Sequence, residues 1–371
     1  MRRLRVLHVL NELKPSGAEV MLLTALPTFH QNGIDLTILS TGQSRGPFAE
    51  RFEAAGVEIV HAPFSRSLSY FWTIWKIFKD SRWQVIHLHS DLANFYFGIV
   101  GLATGKGVLR TVHNAFEHQG FLRWRRMIQR RALQTMGVRH VAIGASVAKN
   151  EQERFGLCTE LVDNWFDDSS FRPPSPEQRE AARRSHSLSC DDFAIVSVGN
   201  CNSTKNHPTI LQAIAMLPSS ERPVYLHAGI EDADRSEQRL ATELGLLFGR
   251  DVRFLGPVND IRTLLFAADA FIMPSHYEGL SIASLEALGT GLPVVLSDVP
   301  GLRDFREIFK GIIYCDPTAE SVYSAIQDVM RLPADIRKEN SRIQSGLAAN
   351  RHGIEQGVRG YSRIYRSMVP A

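Results

Sequence analysis

Charge of either sign is scarce in net terms. The 42 Lys and Arg stand against 39 Asp and Glu, a formal net charge of +3 over 371 residues. So small an excess is too weak to argue for nucleic acid as the main partner, because grip on a polyanion rests on many unopposed cations, and no nucleic-acid partner is expected. Cysteine is sparse as well. Cys158, Cys190, Cys201 and Cys315 form no CxxC pair and show no Cys/His ligand spacing, which excludes a disulfide framework and predicts free thiols in a reducing compartment. Long apolar runs are missing. The longest, FYFGIVGLATG at 95–105, falls well short of the ~20 residues a spanning helix needs. The opening MRRLRVLHVLNELKPSG is basic, but its apolar stretch is short and interrupted by His8; it reads as a first strand and not as a secretory signal. These absences predict a cytoplasmic protein, free or held peripherally at the membrane's cytoplasmic face.

What is present is the composition of a globular enzyme, 44% hydrophobic and 22% charged, long enough for two domains. Charge divides unevenly. Residues 1–170 carry 20 Lys/Arg against 15 Asp/Glu and the remainder 22 against 24, so the basic excess lies in the first half. Short apolar strands alternate with helical stretches in both halves. The first has LRVLHVL (4–10), IDLTILS (34–40), VEIVHA (57–62), VIHLH (85–89) and GVLRTVH (107–113). The second has FAIVSVG (193–199), VYLHAG (224–229), VRFLG (252–256), AFIMPS (270–275) and LPVVLS (292–297). This alternation predicts an α/β fold of two doubly wound, Rossmann-like domains with parallel sheets. The Pro-, Ser- and charge-rich 166–192 reads as the linker, with one short helix at 176–185. Ligands in such sheets bind beyond the carboxyl ends of the strands, which points to loops 11–17, 89–94, 113–118, 199–206, 229–235, 256–260 and 275–281 around a cleft.

One stretch, SHYEGLSIASLEALGTGLPVVLSD (275–298), holds two carboxylates where a buried helix runs into a buried strand. A buried carboxylate costs several kcal/mol, on the order of 3–5, unless paired or hydrogen-bonded. Glu278 falls in the loop after AFIMPS, beside Gly279, which lets backbone approach a ligand. Ser281 is the expected N-cap, and the amides of Leu280, Ser281 and Ile282 form a helix N-terminus suited to phosphate or hydroxyl oxygens. Glu286 lies about a turn and a half further on, where an acceptor-only carboxylate suits paired hydroxyls. Either glutamate alone reads as a satisfied core or surface group; the pair with the glycine loop reads as a ligand site. The loop VGNCNSTKNHP adds a cation, Lys205, where a strand end meets a helix, with Asn200, Asn202, Ser203 and Thr204 as neutral donors. Histidines at strand ends are usually structural, and His8, His87 and His89 are expected in core or supporting positions.

The motifs VGN…STKN, FLGPVND, EGLSIASLE and ALGTGLPVVLSD together resemble retaining GT-B glycosyltransferases of family 4. SGAE after the first strand, TVHN, and LVDNWFDDSSFRP agree with that family, so the resemblance covers nearly the whole chain. It implies a GT-B architecture. Residues 1–170 would form the acceptor-side domain, with a C-terminal helix at about 353–371 packing back on it, and 171–352 the nucleotide-sugar domain. It further implies that Glu278 holds donor-sugar hydroxyls, Glu286 the ribose and Lys205 the diphosphate. Gly17 would admit backbone to the diphosphate, and His113 would sit near the reacting sugar. The donor would be a nucleotide-diphosphate sugar, with UDP the commonest choice in the family. The acceptor would be a saccharide or lipid-linked saccharide in polysaccharide or glycolipid assembly. No metal and no other cofactor is expected, since the predicted loops show no carboxylate or histidine cluster at ligand spacing. One departure stands out: the family's arginine just after VG is replaced here by Asn200, followed by Cys201 and Asn202.

Residues 121–140 carry Arg123, Arg125, Arg126, Arg130, Arg131 and Arg139 among apolar residues, with no acidic residue from 118 to 150. This predicts a basic amphipathic helix suited to an anionic membrane surface; the competing reading is a solvated basic face. SLSYFWTIWKIFKDSRW (67–83) is its apolar neighbour or simply core. Two rivals to the glycosyltransferase remain at this point: an epimerase or hydrolase of the same fold, and a sugar-nucleotide-binding partner with weakened catalysis.

Overall fold

A computed structural model describes residues 3–14, 16–89, 94–115 and 118–369. Loop 89–94 therefore lies mostly outside the described residues, as do Pro15 of 11–17 and residues 116 and 117 of 113–118.

Two compact units emerge, one of residues up to Trp165 together with those from Ile354 onward, the other Phe166–Gly353. In the first, seven strands form one sheet: β1 Leu4–Leu10, β2 Ile34–Ser40, β3 Glu58–His61, β4 Val85–Leu88, β5 Gly107–Val112, β6 Arg139–Ala142 and β7 Glu160–Leu161. Their order is β3-β2-β1-β4-β5-β6-β7. The second unit holds β8 Ala194–Val198, β9 Val224–Ala228, β10 Val252–Phe254, β11 Ala270–Met273, β12 Val294–Ser297 and β13 Ile313–Cys315, ordered β10-β9-β8-β11-β12-β13. Neighbours pair parallel throughout. Helices cover the sheets, so the central strands are apolar along their length. In the second unit Ile195, Ile214, Ile272, Val295 and Ile326 close one such face. Chain order reverses between β1 and β4 and again between β8 and β11, the places where open parallel sheets leave a crevice at their carboxyl ends.

Residues 166–192 are not a loose linker. The helix Pro176–Ser185 occupies the predicted positions, with a Ser175/Gln178 capping box. Arg179 and Arg183 both grip Asp269 of the second unit, at 2.6 and 3.0 Å. Proline, serine and charge made this stretch read as a linker; the arginines pack it down by satisfying the carbonyls of Phe266, Ala267 and Ala268. The last helix, Ile354–Ser367, belongs to the first unit. Gly357 and Gly360 let it lie against Trp165 and Val162, where an added Cβ would come within 1.9 and 2.9 Å.

The basic segment also differs from expectation. Its helix ends at Thr135 and the chain re-enters the sheet as β6 at Arg139. Arg130 is buried against Glu151 at 2.6 Å, with its guanidinium 4.0 Å from the Phe155 ring centroid. Arg131 donates to the Phe155 carbonyl, and Arg139 to Glu160. All three arginines are thus committed to bonds within the first unit, though only Arg130 is buried. Phe121, Leu122, Trp124 and Ile128 remain exposed on the same helix, with Arg123 and Arg125 beside them. In the aromatic helix Leu68–Lys79, Tyr70, Ile74 and Phe78 are core while Trp72 is exposed. No helix among the described residues is long and apolar enough to cross a membrane.

Candidate functional site

The second unit assembles the two loops that flank its strand-order reversal. After β8 the chain turns at Gly199, whose φ of +155° lies at the edge of the range that L side chains avoid. Gly229, at the end of β9, lies so close that a Cβ there would sit 1.9 Å from the Gly199 carbonyl oxygen. Beyond this turn the asparagines shape the loop. Asn200 Oδ1 accepts from the Ile230 amide at 2.9 Å, and Asn202 Oδ1 accepts from the Lys205 amide at 3.0 Å. Both side-chain oxygens thus build the turn, and the Asn202 amide adds to it by donating to the Asn200 carbonyl at 3.2 Å. Asn206, held in the left-handed region at φ 56°, donates to the carbonyls of Pro274 and Pro317. The His276 amide completes the link by donating to the Thr204 carbonyl at 2.8 Å.

Because β8 and β11 are neighbours, this latch brings Lys205 to Glu278. Lys205 Nζ donates to Glu278 Oε1 at 2.7 Å, and Ser275 Oγ donates to the same oxygen at 2.9 Å. Both side chains are partly buried. Expected to serve separate tasks, Lys205 and Glu278 instead pair with each other through Oε1, and among the described residues no hydrogen bond reaches Glu278 Oε2. A turn of the next strand supports the glutamate: Gly301 lies so near that a Cβ would meet the Gly279 carbonyl oxygen at 2.0 Å.

Ser281 caps the following helix, Ile282–Gly289, accepting from the Ser284 amide. Leu280 and Ser281 are buried at this turn and Ile282 is half-buried. The helix is covered almost all round, and Glu286 is its one ionisable residue. Glu286 is 9% exposed and makes no salt bridge among the described residues. Burial, reinforced by the Asp167 carboxylate, pushes its carboxyl up to about 8. This carboxyl, the one ionisable group of its helix, forms no ion pair among the described residues, and ionisation would make it an acceptor for paired hydroxyls.

In the first unit, Gly17 opens the helix Gly17–Gln31 after β1, and the Ser16 hydroxyl donates to Glu19 in its first turn. His113, half-buried, follows β5 and ends a chain of imidazoles that runs from the buried His8 through the half-buried His89. Its Nε2 lies 3.0 Å from His89 Nδ1, and His89 Nε2 lies 2.9 Å from His8 Nδ1. His87 spans Tyr365 and Thr111 at 2.7 Å each. Burial drives His8 down to about 3 and lowers His87 and His89 well below the usual range, with neighbouring imidazoles adding to the shift in the latter two. His8, His87 and His89 are therefore neutral near pH 7. Alternation along β1 and β4 places these histidines on one face, but their mutual contacts depend on strand order and could not be read from spacing.

Two family models match consecutive parts of the chain: "Glycosyltransferase Family 4" over 15–169 and "Glycosyl transferases group 1" over 178–346. The chain is 24% identical to "Putative glycosyltransferase EpsF" of Bacillus subtilis (strain 168), over 97% of this chain and 96% of that one. It is 29% identical to the lipopolysaccharide glucosyltransferase WaaG of Escherichia coli (strain K12), over 42% and 41%. A glycosyltransferase from Rickettsia africae ESF-5 shares the fold with a TM-score of 0.85 at 17% identity, covering 99% of both chains. Anabaena HepE, solved with UDP and glucose, does so at 0.83 and 16%, over 98% and 100%.

Proposed function

The chain belongs to the family 4 glycosyltransferases of GT-B fold, and from that premise we propose how it moves a sugar from a nucleotide-sugar to an acceptor. The donor is read as a nucleotide-diphosphate sugar, with UDP the nucleotide favoured, as in the UDP complex of Anabaena HepE. The observation that carries the reading is Glu286, a buried carboxyl with no ion-pair partner among the described residues, on the helix that follows the Lys205–Glu278 pair. Glu286 would accept from the ribose hydroxyls. Glu278 would accept from hydroxyls of the donor sugar, through Oε2 or by yielding Lys205. Lys205 would then meet the leaving diphosphate with the Ile282 end of the helix, stabilising charge as the glycosidic bond breaks. The reaction is read as retaining and as needing no metal at the reacting phosphate. The acceptor proton passes to a phosphate oxygen. On this reading the first unit serves the acceptor, a saccharide or lipid-linked saccharide, with His113 at the carboxyl end of β5.

The exposed Phe121, Trp124 and Ile128, at 82, 63 and 52%, together with Arg123 and Arg125, support peripheral attachment to an anionic membrane on the cytoplasmic side. One observation favours a second reading, a sugar-nucleotide-binding partner with weakened catalysis. Lys205 is the sole cation of 199–206 and is already paired. Incubation of the full chain with a panel of nucleotide-sugars, following nucleotide diphosphate release, decides between them. Acceptor-dependent release is expected; binding by thermal shift with no release under any acceptor would favour the partner.

A further inference from the structure

The loop that carries Lys205 is bordered by a second set of side chains that donor binding does not use. Cys201 lies in the loop, His207 opens the helix His207–Ala215, His227 stands on β9, and Glu237 lies in the helix Ser236–Glu243. They are scattered in sequence, which is why ligand spacing gave no sign of them. The fold places one potential ligand atom from each within 4.8 Å of all the others. His207, His227 and Glu237 are buried, at 2, 0 and 4% exposure, and Cys201 is half-buried.

Local hydrogen bonding accounts for only part of this cluster. His207 Nδ1 meets Glu237 Oε1 at 3.1 Å, and the Cys201 thiol lies 4.0 Å from His227 Nε2 and against the Glu237 carboxylate. His227 Nε2 is 2.9 Å from the Gly199 carbonyl, so this nitrogen carries the hydrogen and donates it. That fixes the tautomer and leaves the lone pair on Nδ1. Nδ1 of His227 and Oε2 of Glu237 are both buried without a hydrogen-bond partner. Leaving such acceptors dry costs on the order of 1–3 kcal/mol each.

We propose that Cys201, His207, His227 and Glu237 bind a divalent transition cation of the zinc class. Sulfur, two imidazoles and a carboxylate are the donor set that a tetrahedral zinc ion takes, and ligand bonds of ~2.0–2.3 Å set donor separations of roughly 3.3–3.8 Å. The cluster reaches these by closing about 1 Å. Charge balances too: one thiolate and one carboxylate offset the dication, so the buried site carries no net charge. A metal-bound imidazole usually donates its other N–H to a carbonyl or carboxylate, as His227 does to Gly199. With all four positions taken by protein, the ion is structural and stands apart from the reacting phosphate. Cys201 and His207 lie on either side of Lys205, so the ion pins both ends of the loop that presents it. This last consequence rests on the donor-site reading; metal binding itself does not.

The test uses the full-length chain, stripped with a chelator and titrated with Co²⁺. One equivalent should give a tetrahedral visible spectrum and a thiolate-to-cobalt charge-transfer band, both abolished by one equivalent of Zn²⁺. Cys201→Ser should lose the charge-transfer band and bind at least tenfold more weakly, while melting like the stripped wild type without metal. Cys158→Ser with Cys190→Ser should keep the full spectrum. No spectrum with the wild type, a band that persists in Cys201→Ser, or one that disappears with the two exposed cysteines would each overturn the proposal. Donor affinity measured with and without Zn²⁺ tests the loop separately: unchanged affinity with intact metal binding would refute the link to Lys205 and leave the site standing.

Discussion

Glu286→Gln removes a titrating proton from a buried position while keeping the side chain's shape. In the native chain the carboxyl is held at about 8 by burial and by Asp167, against a usual 4.5. The folded state therefore keeps a proton that the unfolded state releases, and stability falls as pH rises from about 4.5 to about 8. The full difference corresponds to at most about 5 kcal/mol; relaxation and water entry bring the expected loss to roughly 2–5 kcal/mol. Gln does not titrate and escapes that loss. The variant should match the wild type near pH 4.5 and melt higher at pH 8, by ~5–15 °C for a unit of this size. Melting curves of both proteins across pH 4.5–8.5 read this directly, and comparing them cancels every other titrating group. At pH 8 the same variant should bind the nucleotide of the donor ~10–150-fold more weakly, the range for a lost hydrogen bond to a charged group. A variant that melts lower at every pH yet binds nucleotide normally would show that Glu286 holds the fold together, and the reasoning about an unpaired carboxyl would fail.

Lys205→Ala should lower turnover by ~10²-fold or more; wild-type turnover would remove Lys205 from the diphosphate. The imidazole chain predicts acid sensitivity of opposite sign to Glu286. His8, His87 and His89 have lowered pKa values, so their contribution is intact above pH 6.5 and shrinks as pH falls below it, for His8 down to about 3. Each contributes up to ~1.4 kcal/mol per pH unit, and urea midpoints between pH 7 and 4 should fall less steeply in His8→Gln; an equal slope would refute the assignment. Attachment to vesicles should require anionic lipid, weaken as salt screens charge over ~10 Å at 0.1 M, and be lost in Phe121→Ser/Trp124→Ser with donor turnover retained. Equal binding to neutral vesicles would sink it. Arg130→Gln should instead destabilise the first unit by ~1–3 kcal/mol, the cost of a lost buried hydrogen bond, since Arg110 stays 3.5 Å from Glu151; a lower melting temperature reads this.

Strand positions were legible because parallel strands covered on both faces are continuous apolar runs: β1 and β2 fall on the predicted residues. β6, beginning with Arg139 and His140, β7, only two residues long, and β13 gave no such run. Glu286 stood out because an ionisable group in an otherwise apolar helix is conspicuous in any sequence. Its neighbours were not so readable. The Lys205–Glu278 pair depends on β8 lying beside β11, an order that periodicity does not contain. Arg130 and Arg125 look alike in the sequence; only the packing of Glu151 from the next helix separates a fastening from a surface charge. Cys201, His207, His227 and Glu237 stayed hidden for the same reason.

The return of the last helix to the first unit makes modular exchange asymmetric. Tyr365 and Tyr361, which reach His87 and Thr111, are encoded after the whole second unit. A chimera that swapped everything beyond Trp165 would carry foreign tyrosines into the histidine chain and alter the very half it meant to keep. Exchange of donor specificity should therefore be built as an insertion, with junctions at Trp165/Phe166 and Gly353/Ile354. By the same token, a nonsense codon near position 354 spares the second unit's sheet and strips the first unit of its final hydrogen-bonding layer.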